Sequence, residues 1–320
     1  MGDHARVAAE WLRAARIVRE QRDRPRIAAE WLRAARSVRE QRDRPRIAAE
    51  WLRAARIVRE QRDRPRIVVI ELYGGSRPML SELQRRHGID LTLVAAYTCD
   101  MCHPNPCVDL PGVAYEHTEA DMASESTLEG ITRFILQHIS RADVLLVVGG
   151  PPCTAYSDAN PRISPRSLAT KMASLEVCDE LVRSFLEVAN FARRTCAERR
   201  LQFVGVMENV HSHVTPLRRR PFMRAYMAEY TDVARHMVNW CAYNYGMPKK
   251  PTDIWMFRLP GWMPLVCKGG GRCPNTKFRR ATQRWVHRVT VKGLKTAKDR
   301  APWASGFVRS IVDAILASRR

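Results

Sequence analysis

No apolar run in the chain reaches the length that crosses a bilayer core. The first residues lack the apolar stretch of a secretory signal, so neither a membrane protein nor an exported one is expected. The nine cysteines are odd in number and irregularly spaced, which excludes a disulfide scaffold and points to a reducing, intracellular compartment, cytoplasm or nucleus. Acidic residues are scarce: 33 against 54 Lys plus Arg, a formal net charge of +21. The imbalance is local. Residues 67–257 carry 20 basic and 21 acidic side chains, residues 1–66 carry 19 and 10, and residues 258–320 carry 15 and 2. A near-neutral middle with a basic end fits a globular core that turns one edge to a polyanion.

What the N-terminus does have is repetition. The unit VAAEWLRAARIVREQRDRPR at 7–26 recurs at 27–46 and 47–66, changing only at Val7/Ile27/Ile47 and Ile17/Ser37/Ile57. Ala, Leu, Arg and Glu favour helix, and the apolar residues fall near one face. The proline of RDRPR ends each helix, because proline disfavours the helical conformation in the residue before it. Residues 1–66 are therefore expected to be a basic helical extension without chemistry, or an arm that binds nucleic acid or mediates oligomerisation.

From Ile67 strands and helices alternate. RIVVIELYGG, DLTLVAAYTC, GVAYEH, DVLLVVGG and QFVGVMENV read as strands; MLSELQRRHG, LEGITRFILQHIS and the long SLATKMASLEVCDELVRSFLEVANFARRT read as helices. HMVNWCAYNYG and KPTDIWMFRL, close together, read as an antiparallel pair. The expected fold is α/β and Rossmann-like: a mostly parallel sheet with helices on both faces and an antiparallel last strand. Ligands of such sheets sit at the carboxyl ends of the strands, and every unusual residue lies there: Glu71-Leu-Tyr-Gly-Gly75, Gly149-Gly-Pro-Pro-Cys153, Glu208-Asn-Val210 and Tyr245-Gly-Met-Pro-Lys-Lys250.

In this order and spacing the four strand ends resemble the cytosine-C5 DNA methyltransferases, and the tail resembles a compact variety found in phages and viruses. The resemblance spans about residues 67–320: a catalytic core over 67–257, and in 258–320 a reduced target-recognition region with a closing helix. It implies a class I methyltransferase fold, with seven strands, and S-adenosylmethionine as cofactor. It also implies methyl transfer to C5 of a cytosine in DNA, after addition of the Cys153 thiolate to C6 of a flipped-out base. Such a thiol needs a rigid, partly exposed seat and a lowered pKa; two prolines before Cys153 supply rigidity. Glu208 would activate the ring near N3, with Asn209 holding its loop. Lys249 or Lys250 would supply positive charge where the bacterial enzymes have a Gln-x-Arg-x-Arg run. For the cofactor the resemblance points to Glu71, Leu72, Tyr73, Gly74 and Gly75, to Gly150 and Pro151, to Asp121 and Met122 flanking the adenine, and to Asp100 for the ribose, with Thr98 two residues earlier in the usual place.

The chain departs from the bacterial enzymes after the cysteine, where Thr154 replaces Gln, and at the closing Gly-Asn-x-Val motif, where RAPWASGFV stands. These departures bear on activity more than on fold. RNA as the substrate, or a catalytically silent nucleic-acid-binding protein, are the alternative readings. A thiol redox protein is disfavoured because no Cys-x-x-Cys lies at a suitable strand-to-helix turn. Cys99-x2-Cys102-His103-x3-Cys107 and Cys267-x5-Cys273 invite a zinc reading, but neither has clean paired-knuckle spacing; free thiols are expected and no metal, with zinc as the alternative. Nucleic-acid contacts are expected from Arg218, Arg219 and Arg220 in PLRRRPF, and from Arg279, Arg280 and Arg284 in TKFRRATQRWVHR, unless that run is merely an exposed basic helix.

Overall fold

The computed structural model describes residues 50–56, 63–73, 78–100, 110–156, 165–213, 216–288 and 303–319. The chain divides into two compact units, Met1–Arg64 and Pro65–Arg320. In the first, residues 50–56 are helical; the rest of the helical-repeat expectation lies outside the described residues.

The second unit is a Rossmann-like α/β domain. Its strands are β1 (Arg66–Leu72), β2 (Thr92–Cys99), β3 (Ala114–Thr118), β4 (Val144–Gly149), β5 (Gln202–Val210), β6 (Val233–Asn239) and β7 (Pro251–Phe257). They form one sheet in the order β3-β2-β1-β4-β5-β7-β6. The first five pair in parallel, and β7 runs antiparallel between β5 and β6. Helix α1 (Pro78–Arg86) links β1 to β2, α2 (Glu125–His138) links β3 to β4, and α3 (Pro165–Glu198) precedes β5. Helix α4 (Pro221–Glu229) follows β5, α5 (Trp240–Tyr243) is a single turn after β6, and α6 (Ser305–Ala317) closes the chain. Order, direction and coverage match the arrangement expected from the sequence. A boundary between residues 66 and 67 would cut β1, which already begins at Arg66; that side chain forms a two-point ion pair with Asp143 at 2.9 and 3.0 Å.

The sheet is buried on both faces because its strands are apolar on both. Val68 and Ile70 of β1 face Phe134 of α2 and Val182 and Phe185 of α3. Ile67 and Val69 face the other way, toward Leu80 and Leu83 of α1 and Phe307 and Ile311 of α6. Period-two alternation thus divides one strand between two cores. The strands approach closely where β4 ends: a Cβ on Gly149 would lie 2.7 Å from the Leu72 carbonyl oxygen and 2.9 Å from the Phe185 ring. Only glycine fits there, and this sets the depth at which the Pro-Pro-Cys loop leaves the sheet.

One alternative reading fails outside the sheet. The basic run TKFRRATQRWVHR is not a helix but a hairpin of β8 (Thr276–Arg279) and β9 (Arg284–His287). Its turn is a short 3-10 segment, Arg280–Thr282, closed by Gln283 in the left-handed region at φ 48°. Phe278 and Trp285 pair across the strands, with ring centroids 5.5 Å apart. Aromatic cross-strand pairing on a pleat outweighs the helix preference of Arg, Ala and Gln.

Candidate active site at the strand ends

Three of the expected catalytic side chains come together. Cys153 leaves β4 through Gly150, Pro151 and Pro152; Glu208 lies near the end of β5; Lys250 directly precedes β7. Lys250 Nζ donates to Glu208 Oε1 at 3.2 Å, and both side chains are about nine-tenths buried. A Cβ on Gly150 would lie 3.2 Å from Glu208 Oε2, so Gly150 lets the cysteine loop pass against this carboxylate. Asn209 is fully buried, and its Nδ2 donates to the Pro151 carbonyl at 3.4 Å, tying the β5 end to the same loop. Lys249 does not join the pair. It is exposed, and its charge is felt by His287, whose proton affinity is lowered by burial and then by Lys249.

The electrostatics differ from the expected activated thiol. Cys153 is partly exposed, yet enough protein surrounds its sulfur that burial pushes the thiol up to about 11. The Glu208 carboxylate adds to the rise and Lys250 opposes it. The sequence pointed to a lowered pKa; the reversal arises because desolvation and a neighbouring anion both disfavour a second negative charge. Lys250 keeps its proton more tightly than usual. Burial works against its charge, but Glu208 and Cys153 together overcome that.

The cysteine loop has a second anchor that sequence reasoning missed. After Cys153 the chain makes one 3-10 turn, Thr154–Tyr156. The Tyr156 hydroxyl donates to Asp179 Oδ1 of α3 at 2.6 Å, and Arg220 binds both oxygens of the same carboxylate. Arg220 is thereby held against α3, with its side chain 28% exposed. Arg218 also turns inward: it donates to the Ser212 carbonyl at 3.1 Å and lies 3.7 Å from the buried Asp253. Of the three, Arg219 alone is exposed. Arg279, Arg280 and Arg284 are all exposed at the tip of the β8–β9 hairpin.

The expected cofactor residues lie along the carboxyl edge of β1 to β4, but two have other work. Both oxygens of Glu71 accept backbone N–H groups at the start of α1, from Met79 at 3.2 Å and Leu80 at 2.9 Å. Such groups have no partner within a helix, so a buried carboxylate there acts as a cap. Tyr73, at φ 55°, turns its ring to α3 and donates its hydroxyl to the Leu181 carbonyl at 2.8 Å. Leu72 is buried at the end of β1, and Gly74 and Gly75 lie outside the described residues. Asp100 follows β2, and Thr98 is engaged sideways with Tyr115 and His117 of β3. Asp121 follows β3 and accepts from the Ala123 amide at 2.9 Å, while Met122 is buried. Asp100, Asp121, Gly150 and Pro151 thus line one edge, offering carboxylates for hydroxyls and a close backbone approach at glycine.

No family model matches the chain, and no curated protein matches it. Solved structures overlap it in part. A prophage-encoded protein of E. coli, described as a DNA modification methyltransferase, gives a TM-score of 0.34 at 13% identity over 59% of this chain and 46% of that one. The Dnmt2 methyltransferase of S. pombe gives 0.31 at 18%, over 64% and 51%. The Entamoeba histolytica methyltransferase EhMeth gives 0.37 at 8%, over 80% and 100%. The chain spans about half the length of the first two. A short-chain dehydrogenase with bound NAD+ overlaps too, at a TM-score of 0.28. Likeness at this level carries nothing about chemistry, which has to come from the strand ends.

Proposed function

We propose that the chain is an S-adenosylmethionine-dependent methyltransferase acting on C5 of cytosine in DNA. The observation that carries this reading is the convergence of Cys153, Glu208 and Lys250 at neighbouring strand ends, with a buried 3.2 Å Glu208–Lys250 contact. A buried ion pair is a poor source of stability, and perturbed groups beside a thiol at a strand edge mark a reactive site.

In this reading Cys153 attacks C6 of a flipped-out cytosine, forming the S–C6 bond and leaving C5 electron-rich. The Glu208 carboxylate takes the proton of the attacking Cys153 thiol and passes it to the N3 edge it faces as the electron pair moves into the ring. Lys250 holds the Glu208 carboxylate in place and offsets negative charge as the thiolate forms. Bound S-adenosylmethionine supplies the methyl group for C5. Water then takes the C5 proton, the C5–H electron pair re-forms the C5=C6 bond, the S–C6 pair leaves with the Cys153 sulfur, and the N3 proton returns to Glu208. Asp100, Asp121, Gly150 and Pro151 would hold that cofactor; Glu71 acts from behind, fixing the turn between β1 and α1.

The experiment is transfer of a labelled methyl group to DNA and to RNA, together with adduct formation on each polymer carrying 5-fluorocytosine. DNA is expected to be methylated and trapped. Cys153→Ser should abolish both signals while cofactor binding survives; turnover at the wild-type rate in that variant would refute the mechanism. The raised thiol favours a second reading, a nucleic-acid-binding protein that keeps the fold without turnover. Its signature is cofactor and DNA binding with no transfer to either polymer.

A further inference from the structure

Three cysteines and a histidine meet at the base of the β8–β9 hairpin. Cys241 sits in α5, after β6; Cys267 lies in the irregular run after β7; Cys273 follows the 3-10 turn Gly270–Arg272; His287 ends β9. Cys241 and Cys273 are buried, and Cys267 and His287 are half-buried. Their donor atoms all fall within 4.8 Å of one another. The sulfurs of Cys241 and Cys267 lie 3.5 and 3.4 Å from Nε2 of His287. Zinc bonds of about 2.3 Å to sulfur and 2.0–2.1 Å to nitrogen, at tetrahedral angles, require an S···N edge of about 3.6 Å. The observed edges agree with that.

We propose that Cys241, Cys267, Cys273 and His287 form a structural zinc site that clasps the hairpin to the catalytic sheet. Three soft sulfurs and one imidazole select zinc over magnesium or calcium, and four protein ligands leave no open position, so the site is structural. The surroundings are built for it. The Gly269 amide donates to the Cys267 sulfur at 3.4 Å, and the Cys267 amide donates to Asn239 Oδ1 at 3.1 Å. Asn275 Nδ2 holds the Cys241 and Asn244 carbonyls at 2.8 and 2.9 Å. Such contacts fix ligand orientation around a metal. Gly269 and Gly270 adopt φ of 65° and 55°, a conformation that suits glycine and lets the chain fold back between Cys267 and Cys273.

A mechanical need points the same way. A lone hairpin of four-residue strands is marginal in water. This one also sets Arg279 directly opposite Arg284, a like-charge pair that destabilises it further. Its exposed aromatics, Phe278 and Trp285, add little core. A metal ligated from β9 and from three segments beside it supplies the missing anchor. The anchor also reaches the active site: Trp240, next to Cys241, lies with its ring 6.0 Å from Lys250 Nζ.

The test is metal analysis of the full chain purified without chelator from zinc-supplemented cells. About one zinc per chain is expected, falling to background in Cys273→Ser and His287→Ala. Cobalt exchanged into the wild-type protein should give the intense visible d–d bands of tetrahedral coordination and thiolate charge-transfer absorption. Stripping the zinc should speed trypsin cleavage after Arg279, Arg280 and Arg284, as the hairpin loosens while the sheet stays folded. Wild-type protein without zinc, whose three thiols react with a thiol reagent equally fast with or without added zinc, would show a thiol–imidazole hydrogen-bonded cluster and overturn the proposal. So would weak octahedral cobalt bands. None of these readouts depends on methyl transfer.

Discussion

The Glu208–Lys250 pair lends itself to a double-mutant cycle. Replacing Lys250 with Met keeps the side-chain length and leaves Glu208 as a buried, unpaired anion. Breaking a buried pair in this way costs about 3–5 kcal/mol. In a unit of this size each kcal/mol moves the melting temperature by roughly 2–4 °C, so a fall of roughly 6–20 °C is expected. Glu208→Gln leaves Lys250 unpaired and should fall in the same direction. Combining the two removes both charges, and the double variant should be more stable than the sum of the singles by roughly 0.5–3 kcal/mol. Thermal and urea unfolding of all four proteins measure this directly. Single variants within about 0.5 kcal/mol of wild type, with strictly additive effects, would refute the claim that a desolvated ion pair sits at the strand ends. The cycle also reports on the thiol. With Lys250 gone, Cys153 loses the cation that opposes its rise, so its alkylation at neutral pH should slow further.

Three other outcomes follow from the structure. Alkylation of Cys153, followed by peptide mass spectrometry, should keep rising about tenfold per pH unit past the range where an ordinary thiol levels off, about 8.5, because burial and Glu208 place its titration at about 11; a plateau below pH 9 would contradict this. A chain beginning at Pro65 should fold alone, and one beginning at Ile67 should be weaker by roughly 1–3 kcal/mol, since it lacks the half-exposed Arg66–Asp143 pair and the backbone hydrogen bonds from Asp143 to Arg66 and from Thr92 to Pro65; an insoluble product in both cases would tie the repeats to the sheet. Charge reversal at Arg279, Arg280 and Arg284 should weaken DNA binding across sequences and flatten the log affinity–log salt slope by up to about 2.7, at about 0.9 per phosphate contact; an unchanged slope with normal affinity would move the nucleic-acid path elsewhere.

How far the sequence could be read depended on the range of each interaction. The strands of the sheet were visible because burial on both faces leaves continuous apolar runs such as VLLVV and IVVI. Cys153 and Glu208 were visible because each closes such a run. The cap that Glu71 places on α1 was not legible, because its glycine-turn setting reads the same whether or not its carboxylate meets the N–H groups of Met79 and Leu80. The Arg220–Asp179 pair was not legible, because PLRRRPF reads as a phosphate-binding run until Asp179, on a different element, is placed beside it.

The hairpin and the metal ligands mark the limit more sharply. TKFRRATQRWVHR contains no Asn-Gly or Asp-Gly to announce a turn; Gln283 takes the left-handed position that glycine or asparagine usually fills. Its four ligand residues are scattered from Cys241 to His287, and only Cys267-x5-Cys273 has anything like a local spacing. A zinc motif is legible when one loop delivers paired ligands, because the metal then fixes the backbone between them. Here the sheet delivers Cys241 through β6, the hairpin delivers His287 through β9, and the intervening glycine turn brings the other two. The ligand set is therefore a property of the fold rather than of any segment. A metal that depends on the fold for its ligands should stabilise that fold in return, and the part that gains most is the basic hairpin, which has too little core to hold its own arginines together.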